Sequence, residues 1–409
     1  MTGDELTVLV DRLRWDRRRD PYRGRREYSK IARQVAEECD RLVADGRADL
    51  AVPVLRKAID RITRALMYLD DSSGIIGDDL QELMDLYAKV CVAALPNPVS
   101  LAGWLVKLAC DGPGWPRVRL ADFAPALGKR GIAEVERLVA ERARVADPES
   151  WTAGFAVRDL REQLAEVSGD VDRYVAVLAE HLTSAAQYQR IAETLCTAGR
   201  RDEAIGWARR GVATNAGSPY TDRLRDLLVN MLLAAGDTSG ARRVRRKEFS
   251  RHPTAAGYRS LIDTAGAAGG DDPTGWALEV LRDRVDQEPV YASELVGVLV
   301  AVGREDEAWQ EALRHRRWLG GPQWQTLLER RAVMHPAEVI QPYRDLVEQV
   351  ILNSADKRRY RRAIALLPAL RAAYQAAGEP AAFGRYLAEL RIAHKRRPTF
   401  LKTLDAAGL

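Results

Sequence analysis

Cysteine is scarce in this chain: four of 409 residues, Cys39, Cys91, Cys110 and Cys196, with no CxC or CxxC pair among them. Scattered thiols inside apolar stretches build neither a disulfide framework nor a thiolate metal site, and read as buried side chains in a reducing compartment. Histidine is as thin. His181, His252, His315, His335 and His394 stand alone, without HExxH or HxH, which excludes the common zinc-hydrolase arrangements. His181 near a helix end and His394 among bases read as structural or surface residues. The GxSxG, GxxxxGKS/T and GxGxxG fingerprints of acyl, nucleoside-triphosphate and dinucleotide chemistry are missing as well. No run of about 18 apolar residues is present for a membrane span, and the opening MTGDELTVLVDRL carries acid where a signal peptide carries base. The expectation is a cytoplasmic protein without a metal, a cofactor or a membrane partner.

Lysine is the last scarcity: of 63 bases nine are lysine, leaving 54 arginines. With abundant alanine, that bias is what a GC-rich coding sequence produces, so an arginine says little by its presence alone. Net charge is +5, yet Arg12 to Lys30 holds nine bases against Asp16, Asp20 and Glu27, a local +6 that leaves −1 for the rest. Interleaved with Trp15, Tyr22 and Tyr28, the arginines of this arm (Arg17, Arg18, Arg19, Arg23, Arg25 and Arg26) are of the type that grips phosphates beside stacked bases. The plainer reading is a solvated arm that packs one amphipathic helix, with Leu6, Leu9, Val10 and Leu13, onto the first repeat.

What the chain has in plenty is short amphipathic helices ended by glycine. In residues 188–219, YQRIAETLCTAGRRDEAIGWARRGVATNAGSP, Tyr188, Ile191, Ala192 and Leu195 form one stripe of a 3.6-residue helix. Gly199 ends it in a conformation glycine adopts at little cost, and Asp202 is placed to cap the next helix. There Ala204, Ala208 and Gly211 make a small-residue seam that lets two backbones approach. This order resembles the tetratricopeptide repeat, with Tyr188 where that family usually has Trp and Ala208 where it usually has an aromatic. The unit returns. Gly236 with Ala241 and Gly303 with Ala308 keep the interval of Gly199 and Ala204, and a degenerate copy carries Tyr258, Leu261 and Ala277. The alanines at 204, 241, 277 and 308 are 37, 36 and 31 residues apart, against roughly 34 for the ideal repeat. The expected fold is all-α, a right-handed α-solenoid of antiparallel helix pairs; a helical bundle is the alternative.

The N-terminal half is helical throughout. Its turn at residues 69–80, LDDSSGIIGDDL, gathers Asp70, Asp71, Asp78 and Asp79, but without the spacing of an EF-hand or a DDxxD motif. Helix capping explains those acids more simply than a cation does. Expected boundaries are a short helix with its Arg-rich arm (1–26), an N-terminal helical domain (27–182) and a repeat domain with capping helices (183–409). From Tyr28 on, the DDSSG turn, CVAALPNPVSLAGWL and the closing HKRRPTFLKTLDAAGL are similar to the helical region of bacterial SWIM zinc-finger proteins. The CxC and CxH pairs of that finger are missing here, so its binding role transfers to no residue of this chain.

The resulting expectation is a non-catalytic scaffold that binds another protein or peptide. By the tetratricopeptide resemblance, Gln189, Glu193, Asp226 and Asn230 on the first helices of their pairs point into its groove. The alternative is nucleic-acid binding by the arm, aided by Lys357, Arg358 and Arg359 of KRRYRR. An enzyme assembled from distant helices is the third reading.

Overall fold

A computed structural model describes residues 3–14, 21–68, 71–145, 151–215 and 219–409, with backbone alone at several helix ends, residues 21–26 and 151–153 among them. All regular structure in these residues is helical. The chain divides into two compact units, Met1–Leu224 and Arg225–Leu409.

The first unit runs through α1 (Gly3–Asp11), α2 (Pro21–Ala44), α3 (Ala48–Leu66), α4 (Ile75–Ala94), α5 (Pro98–Asp111), α6 (Leu120–Val145), α7 (Trp151–Val167), α8 (Val171–Ala179), α9 (Ala185–Thr197) and α10 (Arg201–Thr214). The expected stripe of α1 is buried: Leu6, Leu9, Val10 and Leu13 all face its neighbours α2 and α3. Asp11 then closes the contact by pairing with Lys57 at 2.7 Å and Arg61 at 2.6 Å. In the acid-rich turn before α4, the capping role is seen at Asp71. Asp71 accepts from the backbone amides of Ile76 (3.1 Å) and Gly77 (2.8 Å), satisfying donors that a helix start leaves open. Asp79 is buried and accepts from Arg33 Nε at 2.9 Å, while Asp70 lies outside the described residues. Trp115 latches the same helix end, its indole donating to the Gly77 carbonyl at 2.7 Å. Gly128, at φ +52° and ψ −171°, kinks α6 into two helical stretches.

The second unit takes in α11 (Asp222–Ala234), which spans the boundary, then α12 (Thr238–Arg251), α13 (Ala255–Ala267), α14 (Thr274–Gln287), α15 (Ala292–Ala301), α16 (Glu305–Arg314), α17 (Gly321–Met334), α18 (Pro336–Leu352), α19 (Arg359–Ala376), α20 (Pro380–Ala393) and α21 (Pro398–Ala406). Most of these helices pack on their neighbours in sequence, the arrangement of stacked hairpins. One closure joins the two helices of a pair wherever glycine supplies the turn. Gly236, Gly303 and Gly378 are left-handed, and the following amide donates back to Leu232, Leu299 or Tyr374 at 2.9 Å. The first unit makes the identical closure at Gly199, from the Arg200 amide to Leu195. This is the six-to-one bond of a Schellman end, and it reverses the chain in three residues. The seam alanines 204, 241, 277 and 308 are fully buried, each within its own unit. Trp309 stacks on Trp324 at 5.5 Å and 5°, with Arg331 over the first ring and Arg316 over the second. The closing α21 covers the last apolar face with Phe400 and Leu404, both fully buried.

One local expectation needs correction and one is narrowed. Asp202 does not cap α10: Arg200 holds the N-cap position, and Asp202 sits inside the first turn, where the helix dipole favours an acid. Of the two readings of His394, structural or surface, the structural one holds. It is 6% exposed, its Nε2 lies 3.0 Å from both Glu348 oxygens, and its ring meets Phe400 edge-on. The bases around it in sequence leave by the turn before α21, while the imidazole points into the core.

Candidate functional site

In the first unit, α7, α8 and α9 enclose an open cleft of about 460 Å³. Its walls are fixed by charge pairs between consecutive helices. Arg161 of α7 donates to Glu180, just past α8, at 2.9 Å, and Arg190 of α9 donates to Glu162 of α7 at 3.0 Å and to the Tyr174 hydroxyl of α8 at 2.7 Å. Burial pushes the Tyr174 hydroxyl above its ordinary value, with Arg190 pulling the other way. Desolvation opposes the charge of Arg190, yet the Tyr174 hydroxyl and the Glu162 carboxylate hold its pKa above the usual arginine range. These pairs serve the hairpins and leave little for a ligand. Asp159 is likewise occupied, accepting from Gln163 Nε2 at 2.7 Å.

What remains for a ligand is a small set. Arg117 and Arg158 line the cleft, are exposed, and make no ion pair among the described residues. Phe155 stands 57% exposed beside them. His181 joins the lining, its carbonyl tied to Gln187 Nε2 at 2.8 Å. The arrangement offers two cations and an aromatic face on rigid walls. Neither the two arginines nor the phenylalanine carries a sequence signal. Arg117 follows a proline in a loop, and Phe155 and Arg158 sit one turn apart on a helix whose partners cannot be read from spacing.

The residues expected to line a groove separate between the units. Gln189 and Glu193 lie along α9 and hydrogen-bond each other at 2.8 Å, outside the cleft lining. Asp226 of α11 pairs with Arg245 at 2.7 Å, and Asn230 is exposed on the same helix. Of the basic candidates, Arg17, Arg18 and Arg19 fall outside the described residues. Arg23, Arg25 and Arg26 belong to the first turns of α2, with their side chains likewise outside. KRRYRR divides: Arg359 donates to the Ser354 carbonyl at 3.1 Å and lies over Tyr360, and Arg362 pairs with Asp356 at 3.1 Å, so both close the turn before α19. Lys357 and Arg358 stand at that turn's end. Among the described residues no cluster of three or more His, Cys, Asp or Glu is arranged to hold a metal, and no helix is long and apolar enough to cross a membrane.

A family model for a family of unknown function (DUF6880) matches residues 25–403. It replaces the kinship to SWIM zinc-finger proteins read from the sequence, which no comparison supports. No curated protein matches the chain. Among solved structures the chain is similar to a circular tandem repeat protein (16% identity, covering 99% of this chain and 97% of that one, TM-score 0.18). It is also similar to the APC/C Cut9–Hcn1 hetero-tetramer (11%, 100% and 90%, 0.25) and to the TPR domain of P58(IPK) (15%, 73% and 96%, 0.19). These are likenesses of helical-repeat class only.

Proposed function

The chain belongs to the family of unknown function DUF6880, and from that premise we propose that it is a non-catalytic helical-repeat scaffold that docks a partner protein. The observation that carries this reading is the α7–α9 cleft, where Phe155, Arg117 and Arg158 are left over after the hairpins have satisfied themselves. An aromatic anchor inside a charged rim is the composition of a protein-docking surface. Two arginines without carboxylate partners among the described residues select an acidic segment, because a guanidinium binds a carboxylate through two parallel N–H donors. The partner is therefore an extended peptide segment with carboxylates next to an apolar side chain. Gln189 and Glu193 are proposed as further partner contacts of the first unit, and Asp226 and Asn230 as separate partner contacts of the second.

Selection from a random peptide library with the full chain tests this. The expected motif places Asp or Glu within a few positions of an aliphatic or aromatic residue. The double variant Arg117→Glu and Arg158→Glu, checked for unchanged helicity, is expected to lose at least tenfold in affinity, since a charged hydrogen bond contributes about 1.5–3 kcal/mol. Selected peptides without acids, or binding indifferent to the double reversal, would remove the reading.

A further inference from the structure

The second unit has its own cleft, of about 450 Å³, formed by α12, α13 and the loop before α14. Its α12 wall is strongly one-sided in charge: Arg242, Arg243, Arg245, Arg246, Lys247 and Arg251 against the single acid Glu248, a net +5 in 14 residues. Pairing sorts these cations. Arg245 is committed to Asp226, and Glu248 is committed to Arg225. Arg242, Arg243, Arg246 and Lys247 make no ion pair among the described residues; Arg246 lies over the Trp276 ring at 4.9 Å, a contact that leaves its charge uncompensated. Arg242 with Arg246, and Arg243 with Lys247, stand four residues apart, the spacing at which like charges on a helix destabilise it. Asp271 is the one acid in the lining of this cleft and pairs with none of the four, so the face keeps a surplus of positive charge for a ligand.

We propose that this face of α12 is a binding site for the phosphate backbone of a nucleic acid duplex. Charge density decides the class of ligand. Five residue steps at about 1.5 Å place the four cations along roughly 7.5 Å of helix, one per about 2 Å. A duplex carries one phosphate charge per about 1.7 Å of axis with both strands counted, or per about 3.4 Å along one strand, whereas an extended acidic peptide shows one side a residue only every ~6.7 Å. The row falls between the two duplex values and is too dense for the peptide. Asp271 on the loop wall repels phosphate and keeps the backbone on the α12 side. Gly270 supports the geometry as well, because a Cβ there would fall 2.1 Å from Arg242 Nη1; the missing side chain lets that guanidinium lie flat against the loop. Contacts of this kind read no bases, so binding is independent of sequence.

Fluorescence anisotropy of the full chain with two labelled duplexes of unrelated sequence tests the assignment across a salt series. Equal affinity for both is expected, with log K falling by about 0.9 per phosphate contact against log salt. The variant Arg242→Gln, Arg243→Gln, Arg246→Gln, Lys247→Gln is expected to flatten that slope by about 3.6 and to lose at least tenfold in affinity at low salt. Gly270→Leu, which displaces Arg242 alone, is expected to remove about one unit of slope. Four results would overturn the proposal: no duplex binding at low salt, a slope unchanged in the fourfold variant, polyglutamate retained in place of the duplex, or duplex binding lost instead when Arg17, Arg18, Arg19, Arg23, Arg25 and Arg26 become Gln. The acidic-peptide selection on the first unit is independent of all four.

Discussion

At one register of the repeat, the first unit packs Tyr188 of α9 against Gly211 of α10, and thirty-seven positions later the second unit packs Arg225 of α11 against Glu248 of α12. Both hairpins reverse through a left-handed glycine, Gly199 or Gly236, and both keep a fully buried alanine seven residues before the second partner, Ala204 or Ala241. One contact is thus closed by size, a ring filling the space a glycine vacates, and its counterpart by charge. The backbone plan constrains the seam and the turn; it leaves open which chemistry joins the two helices. The same divergence continues outward. Arg210 of α10 lies 3.6 Å over Trp207 of its own helix, whereas α12 carries four cations with no acid partner among the described residues.

The largest effect that separates the two solutions comes from removing half of the charged one. Arg225 and Glu248 are both well shielded, so Arg225→Ala leaves a carboxylate without its main compensation. Breaking such a pair costs about 3 kcal/mol, read as a lower urea midpoint for the second unit. Converting the pair wholesale is different. Arg225→Tyr with Glu248→Gly installs the first unit's contact at the same register and is expected to stay within about 1.5 kcal/mol of the unaltered chain, since an apolar replacement of a buried ion pair is often neutral. A double variant as weak as Arg225→Ala would show that the two hairpins are not interchangeable.

Next in size is the first unit's own close approach. A Cβ on Gly211 would stand 2.5 Å from Tyr188 Cβ and 2.6 Å from Leu224 Cδ2, so Gly211→Ala must push the helices apart and is expected to cost about 1–3 kcal/mol by thermal or urea unfolding. The position is helical with no left-handed backbone, which makes the cost one of volume alone.

Much of the fold is legible in the sequence, and the reason is periodicity. Leu6, Ile31, Leu80, Ile191 and Leu367 face the core because apolar residues at helical spacing have nowhere else to go, and the Gly-to-Ala interval marks the turns because a three-residue reversal needs a left-handed residue. Partnership is not legible. His394, beside Lys395 and Arg396, reads as structural or surface without a choice between them, because its carboxylate partner Glu348 comes from a helix 46 residues earlier. The α7–α9 cleft is defined by which arginines have found an acid, Arg161 and Arg190, and which have not, Arg117 and Arg158; no spacing rule encodes that difference. Arginine abundance hides α12 in the same way. ARRVRRK reads as composition until Asp226 is seen to account for Arg245 alone.

The smallest expected effect completes the contrast between paired and unpaired arginines. Replacing Arg242, Arg243, Arg246 and Lys247 together by Gln removes four charges from one helix, a change that looks drastic by count. None of the four has an ion-pair partner to strand among the described residues, Gln is nearly as good a helix former, and two like-charge pairs at four-residue spacing disappear, each unfavourable by about 0.2–0.5 kcal/mol. Loss of the Arg246 contact with Trp276 works the other way by about 0.5–1 kcal/mol at an exposed site. The opposing terms nearly cancel, so the urea midpoint is expected to move by no more than about 0.5 kcal/mol equivalent, and to move upward when the same pair of proteins is compared at low salt, where repulsion is least screened. A loss approaching that of Arg225→Ala would mean these side chains hold the fold together and are not free for a ligand, and the distinction drawn between the two hairpins would fail at α12 itself.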